Sequence, residues 1–158
     1  MGFKGHDLTS VDGKRRVVIA SHMRRAMHES ARDTFTVTAG LDGCIFAYPL
    51  NEWERLEQQL LSLSLGNPNA RHLQRLMLHN AKECALDQQG RILLPQGLAD
   101  KFRITPETGA VVKGVLDHLE IWNPDSYAQY EGSLDESYET VALQAFNSLP
   151  PGGRTPTS

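Results

Sequence analysis

The chain has 158 residues, of which 40% are apolar and 22% are charged, a balance that is ordinary for a globular protein with its own core. No apolar run approaches the roughly eighteen residues that a membrane-spanning helix needs, and residues 1–7 lack the apolar core of a signal peptide. We therefore expect a cytoplasmic protein without a membrane partner. Cys44 and Cys84 are too few for a disulfide framework, so buried free thiols are expected.

The net charge of −3 is unevenly distributed along the chain. Residues 1–32 carry seven lysines and arginines against three acidic residues, a net charge of +4. Residues 104–158 carry two basic residues against eight acidic ones, a net charge of −6. A basic amino-terminal part is compatible with a nucleic-acid partner, because binding depends on the local field over the docking face. Solvated faces without functional significance would give the same asymmetry.

The first structural unit is expected over residues 6–53. Ser21 is the predicted N-cap of a short helix, and Asp42-Gly43 is a strong signal for a tight hairpin. The predicted elements are two strands within residues 3–20, a helix over 22–31, and strands over 35–38 and 44–48.

Two helices are predicted next, and residues 54–80 form a helical connection. Apolar residues spaced three and four apart predict an amphipathic helix from Pro49 to about Leu65, and residues 66–69 interrupt it. A second helix is predicted over 70–80. The leucine stripes of both helices favour either core packing or a contact between subunits.

The second unit is expected over residues 81–126 and repeats the plan of the first. Ser133 has the spacing of a capping box, which predicts a C-terminal helix over 133–149. The tail at 150–158 is expected to be disordered. The predicted elements of the second unit are strands over 82–87, 91–94, 110–113 and 118–122, with a helix over 96–102.

An internal repeat explains this similarity of plan. The stretch Asp12–Arg16 precedes an apolar run, and Asp87–Arg91 precedes another run seventy-five residues later. Residues 40–48 also align without a gap on residues 114–122. The predicted fold is therefore α+β, with two pseudo-repeated units of strands and short helices joined by a two-helix connection.

Each repeated stretch combines a turn with an arginine at the start of a strand. The leading Asp can accept hydrogen bonds from its own turn backbone, and Gly provides conformational freedom. The Arg offers a planar fork of donors that suits phosphate oxygens or the O6 and N7 acceptors of guanine. An internal Asp–Arg pair that only staples the turn is the alternative.

The paired Asp-x-x-x-Arg motifs resemble those of the MraZ family, bacterial relatives of the AbrB-type swapped-hairpin transcription factors. The similarity covers about residues 1–131, including Tyr48–Trp53, Asn67-Pro68 and Gln74–Leu76. The resemblance implies AbrB-like swapped-hairpin units and a ring-shaped homo-oligomer. It also implies a regulator, located at the nucleoid and without a cofactor, that binds double-stranded DNA. The expected site is a set of short guanine-rich direct repeats in a promoter, typically that of the division and cell-wall gene cluster.

The resemblance also assigns roles to individual residues of the two turns. The implied DNA-binding residues are Lys14, Arg15, Arg16 and Arg91, and the implied turn-shaping residues are Asp12, Asp87 and Gly90. The family usually has Gly immediately before the motif Arg, as at Gly90, but the first turn has Arg15 there. A left-handed backbone conformation is costly for Arg, so the geometry of the first turn is left open by the sequence.

An oligomeric scaffold and an enzyme are the two other classes of function. An oligomeric scaffold would use the Asp–Arg turns only to hold its fold or its subunits together. An enzyme is disfavoured, because the sequence has no nucleophile elbow and no phosphate-cradling Gly-rich loop, and no catalytic residue is expected. No metal site is expected either, since the separations of His72 and His79 from Cys84 match no common zinc pattern.

Overall fold

The computed structural model describes residues 2–149 of the chain. These residues form eight β-strands, six α-helices and one short 3-10 helix. In chain order the elements are β1 His6–Thr9, β2 Arg16–Val18, α1 Ser21–Arg25, the 3-10 helix Glu29–Ala31, β3 Thr34–Ala39, β4 Ile45–Pro49, α2 Leu50–Leu61, α3 Pro68–His79, β5 Lys82–Ala85, β6 Arg91–Leu93, α4 Gln96–Lys101, β7 Ala110–Val115, β8 His118–Trp122, α5 Pro124–Gly132 and α6 Tyr138–Asn147. The predicted α+β class with two repeated units is confirmed. The tail predicted to be disordered, 150–158, lies outside the described residues.

Six strands form one antiparallel sheet in the order β1-β7-β8-β4-β3-β5. The two central strands, β4 and β8, occupy the same place in their respective repeats, and so do the two edge strands. Phe46 of β4 lies opposite Glu120 of β8 in the register, and these two positions are equivalent in the duplicated sequence. The two repeats are therefore related by an approximate twofold axis through this central pair, although they belong to one chain.

Each repeat contributes its first strand to the other repeat. β1 pairs with β7 of the second repeat, and β5 pairs with β3 of the first. β2 and β6 pair in a separate two-stranded sheet, in which Val17 lies opposite Ile92. The two helices α2 and α3 connect the repeats along the chain as predicted. The halves are not packed about those helices, however, because the exchanged strands interlock them directly.

One apolar cluster unites residues of both sheets and both repeats. Val17 and Ile19 from the first repeat and Ile92 and Leu94 from the second are completely buried in it, together with Phe35. Burying one such side chain stabilises a fold by about 1.5–3 kcal/mol. Because a single core serves both repeats, we expect the chain to fold as one cooperative unit.

All three helices predicted before β5 differ in their bounds from the prediction. The helix predicted over 22–31 is split, because His28 accepts a hydrogen bond from the Ser30 amide (3.1 Å) and so caps the separate 3-10 helix. α2 ends at Leu61, earlier than predicted. α3 begins at Pro68, since the Asn67 side chain caps it through the Asn69 amide (2.9 Å) and Pro suits a first helical turn.

The C-terminal region contains a helix that the sequence prediction missed. α5 begins at Pro124, and its N-cap Asn123 accepts a hydrogen bond from the Ser126 amide at 3.0 Å. Ser133 lies at the C-terminal end of α5, so its predicted role as an N-cap is wrong. α6 is capped instead by Ser137. None of the helices in residues 2–149 is long and apolar enough to cross a membrane.

Candidate nucleic-acid interface

The first Asp–Arg turn is built around the carboxylate of Asp12. Its Oδ1 atom accepts hydrogen bonds from the amides of Lys14 (2.9 Å) and Arg16 (2.8 Å). The Arg15 amide donates to the Asp12 carbonyl at 3.0 Å, which closes the turn. These contacts explain why an Asp is needed at the first position, since its short side chain can satisfy two turn amides at once.

The second turn has the same hydrogen bonds at the equivalent positions. The Oδ1 atom of Asp87 accepts from the amides of Gln89 and Arg91, each at 2.9 Å. The Gly90 amide donates to the Asp87 carbonyl at 3.0 Å. The repeat in the sequence is therefore also a repeat in local geometry.

Arg15 does not distort the first turn. Its backbone φ is +66°, close to the +76° of Gly90 in the second turn. Arg15 therefore adopts the left-handed conformation that Gly adopts without a steric cost, and a side chain in that region costs roughly 1–2 kcal/mol. The Nε atom of Arg15 also donates to the Leu94 carbonyl at 3.4 Å, which partly offsets that cost.

The motif arginines are held by their own aspartates and also link the two repeats. Arg16 Nε pairs with the Oδ2 atom of Asp12, and Arg91 Nε lies 2.8 Å from the Oδ2 atom of Asp87. The Arg91 Nη1 atom also lies 3.5 Å from the Oδ2 atom of Asp12 in the other turn. The pairing of β2 with β6 brings the turns this close, so the two motifs form one continuous surface.

Hydrogen bonds keep the two aspartates charged. The amide and the guanidinium of Arg16, together with the Lys14 amide, lower the pKa of Asp12 to about 2, and the Arg16 amide contributes most. The pKa of Asp87 is lowered for the same reason, with the Arg91 amide as the largest cause. Each motif Arg therefore faces a carboxylate that stays ionised at neutral pH.

The arginine side chains keep donors available to solvent. The side chains of Arg16 and Arg91 are 34% and 22% exposed. Within residues 2–149, the guanidinium of Arg16 uses only its Nε atom in hydrogen bonds with the protein, so both its Nη groups are free. Lys14 is exposed at the tip of the first turn. A pre-oriented guanidinium with free terminal donors suits bidentate contact with a phosphate or a guanine edge.

The cysteines and histidines form no comparable site. Cys44 and Cys84 are buried free thiols, as predicted, and burial raises the pKa of Cys84 to about 11. The Cys44 pKa is also raised, mainly by burial. In the part of the chain that the structure describes, no group of three or more His, Cys, Asp or Glu residues could hold a metal ion.

Comparison with known protein families identifies the source of the repeat. Residues 3–76 and 77–148 each match the family described as "MraZ protein, putative antitoxin-like". Each match contains one of the two Asp–Arg turns. This chain belongs to the MraZ family.

The MraZ relatives are similar over most of their length. The chain is 43% identical over 140 residues to the transcriptional regulator MraZ of Pelotomaculum thermopropionicum, covering 89% of this chain and 92% of that protein. It is 40% identical over 134 residues to that of Clostridium acetobutylicum, covering 84% and 90%. For Natranaerobius thermophilus the identity is 38% over 140 residues, covering 89% and 94%. These names describe regulation of transcription rather than an enzymatic reaction.

One further arginine of this MraZ chain joins the surface, although it was not among the DNA-binding residues that the resemblance implied. Arg24 of α1 donates from Nε to the Ile19 carbonyl at 2.9 Å. A Cβ atom at Gly90 would lie only 2.7 Å from Cζ of Arg24, so this guanidinium lies directly over the second turn. Ile19 and Leu94 are equivalent in the two repeats. Arg15 of the first turn and Arg24 of α1, which lies over the second turn, therefore donate to equivalent carbonyl groups.

Proposed function

We propose that this protein is a cytoplasmic, nucleoid-associated transcriptional regulator that binds double-stranded DNA through its paired Asp–Arg turns. The single observation that carries the proposal is the contact between the turns, in which Arg91 reaches Asp12 across the β2–β6 pair. Two arginines fixed side by side on one partly exposed surface suit a DNA groove. The names of the MraZ relatives support the regulatory role.

Different residues carry affinity and sequence preference in this proposal. Arg16 and Arg91 contact guanine edges, and each bidentate pair contributes about 1–3 kcal/mol of discrimination against other bases. Lys14 and Arg15 contact phosphates, which position the protein without reading the sequence. Asp12 and Asp87 fix the orientation of the arginines. The left-handed conformation at Gly90 allows the second turn to match the first.

The DNA target is a set of short guanine-rich direct repeats in a promoter, and the protein acts as a ring-shaped homo-oligomer. A single pair of turns reads too few bases for a unique site. A ring that presents the same surface repeatedly gains affinity through effective concentration when the spacing of the DNA repeats matches the spacing of its subunits. The promoter of the division and cell-wall gene cluster is proposed from the family resemblance.

Fluorescence anisotropy with promoter fragments tests the proposal. The native protein should prefer a fragment with guanine-rich direct repeats over a scrambled fragment of equal length, and the affinity should fall steeply with salt because counterions are released. Inserting about half a helical turn of DNA between the repeats should remove the gain from multiple subunits. Equal affinity for the repeat and scrambled fragments at every salt concentration would refute the proposal.

An oligomeric scaffold is the second candidate, and the pairing of each motif Arg with its own Asp favours it. In that case the turns only stabilise the fold. Substituting the arginines would then lower the melting temperature, and neither the native protein nor the variants would prefer one DNA sequence over another. Thermal denaturation and DNA binding together therefore separate the two candidates.

A further inference from the structure

α6 packs on no other element through a buried side chain. None of its residues from Tyr138 to Asn147 is buried. Within the described residues, every hydrogen bond of α6 joins atoms of residues 137–149. An isolated helix of ten residues is marginal in water, because helix nucleation is unfavourable and packing supplies most helical stability. A partner surface for α6 is therefore needed to account for its stability.

The exposed side chains of α6 are arranged as a docking face. At the helical period, one stripe is apolar, and the opposite face carries Thr140, Gln144 and Asn147. Val141 is 46% exposed and Phe146 is 54% exposed, although both lie on the apolar stripe. The stripe residues are Tyr138, Val141, Ala142, Ala145, Phe146 and Leu149. Leu143 is 66% exposed but lies off this stripe, which makes it a matched control.

A groove between α2 and α3 offers a complementary surface. Its wall from α2 and the following loop consists of Glu57, Leu60, Leu61 and Leu65, and its wall from α3 includes Gln74 and Leu78. The cavity at this point has a volume of about 430 Å³. It continues along α3 past Arg71 and Arg75. No residue of α6 from the same chain lines either part, so the groove is open to another molecule.

The net charges of the two surfaces are opposite. α6 and the segment before it carry three exposed acidic residues, Asp135, Glu136 and Glu139. Residues 133–149 contain no basic residue. The groove has Arg71 and Arg75 along α3 and one carboxylate, that of Glu57, on its α2 wall. Apolar stripes of matching character, flanked by opposite charges, favour association of these two surfaces and fix its direction.

We propose that α6 of one subunit docks in the α2–α3 groove of a second copy of this chain. The donor and acceptor surfaces differ, so the contact is head-to-tail, and repeating it builds a closed ring or an open chain of subunits. This inference specifies the subunit contact of the homo-oligomer in the proposed function and rests on that part of it. It is independent of the DNA-binding residues.

Single substitutions in the full-length protein test the contact. Val141→Asp or Phe146→Asp places a carboxylate on the docking face and should reduce the native mass from that of an oligomer to the 17.6 kDa monomer. Leu143→Asp introduces the same charge off the stripe and should leave the oligomer intact. Native mass spectrometry gives the masses, and circular dichroism checks that each variant is folded. Unchanged mass in the stripe variants overturns the proposal.

A mixing experiment tests the head-to-tail arrangement. Leu78→Asp in the groove should also give a monomer. A mixture of Phe146→Asp and Leu78→Asp proteins retains one intact donor and one intact acceptor, so it should form a heterodimer and nothing larger. Two monomers that fail to associate on mixing would show that α6 does not enter the groove of another subunit, and would overturn the proposal.

Charge reversal supplies the final test and separates this inference from DNA binding. Arg71→Glu with Arg75→Glu should dissociate the oligomer, and adding Asp135→Lys, Glu136→Lys and Glu139→Lys should restore it. Failure to restore it overturns the electrostatic pairing. A dissociated variant should still bind one DNA repeat at low salt and lose only the gain from adjacent repeats. If the folded native protein itself does not bind a single DNA repeat, the proposed DNA contact is refuted instead.

Discussion

The Nη1 atom of Arg91 lies 3.5 Å from the Oδ2 atom of Asp12, which belongs to the turn of the other repeat. The same Oδ2 atom pairs with Arg16. The Asp12 carboxylate thus orients both motif arginines, whereas within residues 2–149 the Asp87 carboxylate forms an ion pair with only one of them, Arg91. The two motifs have similar geometry, but the orientation of their arginines depends more on Asp12 than on Asp87.

Asp12→Asn should therefore weaken DNA binding more than Asp87→Asn does. The amide keeps an oxygen for the turn hydrogen bonds but removes the charge that holds Arg16 and Arg91. Anisotropy titrations with the repeat fragment compare the two variants directly. Equal losses, or a larger loss for Asp87→Asn, would mean that the contact between the turns has no role in orienting the arginines.

Arg15→Gly should raise the free energy of unfolding by up to about 1 kcal/mol, because Gly adopts the left-handed conformation without a steric cost. It should also lower DNA affinity. In a plot of the logarithm of the binding constant against the logarithm of the salt concentration, the slope should fall in magnitude by about one, which corresponds to one released counterion. Arg15→Ala is the matched control. It removes the same charge but keeps the unfavourable φ, so it should lose affinity without gaining stability in chemical denaturation.

Gly90→Ala should destabilise the fold by about 1 kcal/mol or more, since the methyl group meets both the φ of +76° and the Arg24 guanidinium. In the double variant Gly90→Ala with Arg24→Ala, the clash with the Arg24 guanidinium is removed, so the stability lost to that clash should return. The stability lost to the unfavourable φ should remain lost. A double-mutant cycle from urea denaturation measures the coupling. Additive effects would show that Arg24 does not occupy the space over the second turn.

The stability that Asp12 contributes should depend on pH in the acid range. Its folded-state pKa of about 2 lies below the unfolded value of about 3.9, so the charged form stabilises the fold. This contribution is fully present above about pH 4 and is lost as the pH falls toward 2. The difference in melting temperature between the native protein and Asp12→Asn should narrow over that interval. A constant difference down to pH 2 would contradict the lowered pKa.

Local patterns predicted the two turns well because their chemistry is short-range. Asp12 and Asp87 satisfy amides two and four residues away, so spacing alone identifies the motif. The duplication likewise predicted two equivalent units. Residue patterns did not predict their interlocking, since the pairing of β1 with β7 and of β5 with β3 joins strands that are distant in sequence. Only the resemblance to swapped-hairpin proteins implied such an exchange.

Long-range packing also explains the residues and elements that were missed. Arg24 gave no sequence signal beyond its charge, because its position over Gly90 depends on how α1 of one repeat meets the turn of the other. Asn51–Trp53 at the start of α2 align with Asp125–Tyr127 at the same shift as the rest of the repeat, and this alignment was the available sign of α5. Extending the repeat through it would have predicted a helix after β8 in place of the capping box at Ser133.

The most direct test of the central claim is DNA binding by Arg16→Ala and Arg91→Ala, each compared with Arg55→Ala. Arg55 lies on α2 and pairs with Glu52, so its loss removes the same charge away from the turns. The preference for repeat over scrambled fragments should fall by about 5- to 150-fold for each motif variant, the equivalent of about 1–3 kcal/mol. It should be unchanged for Arg55→Ala. Motif variants that stay folded and keep the full preference would contradict the account.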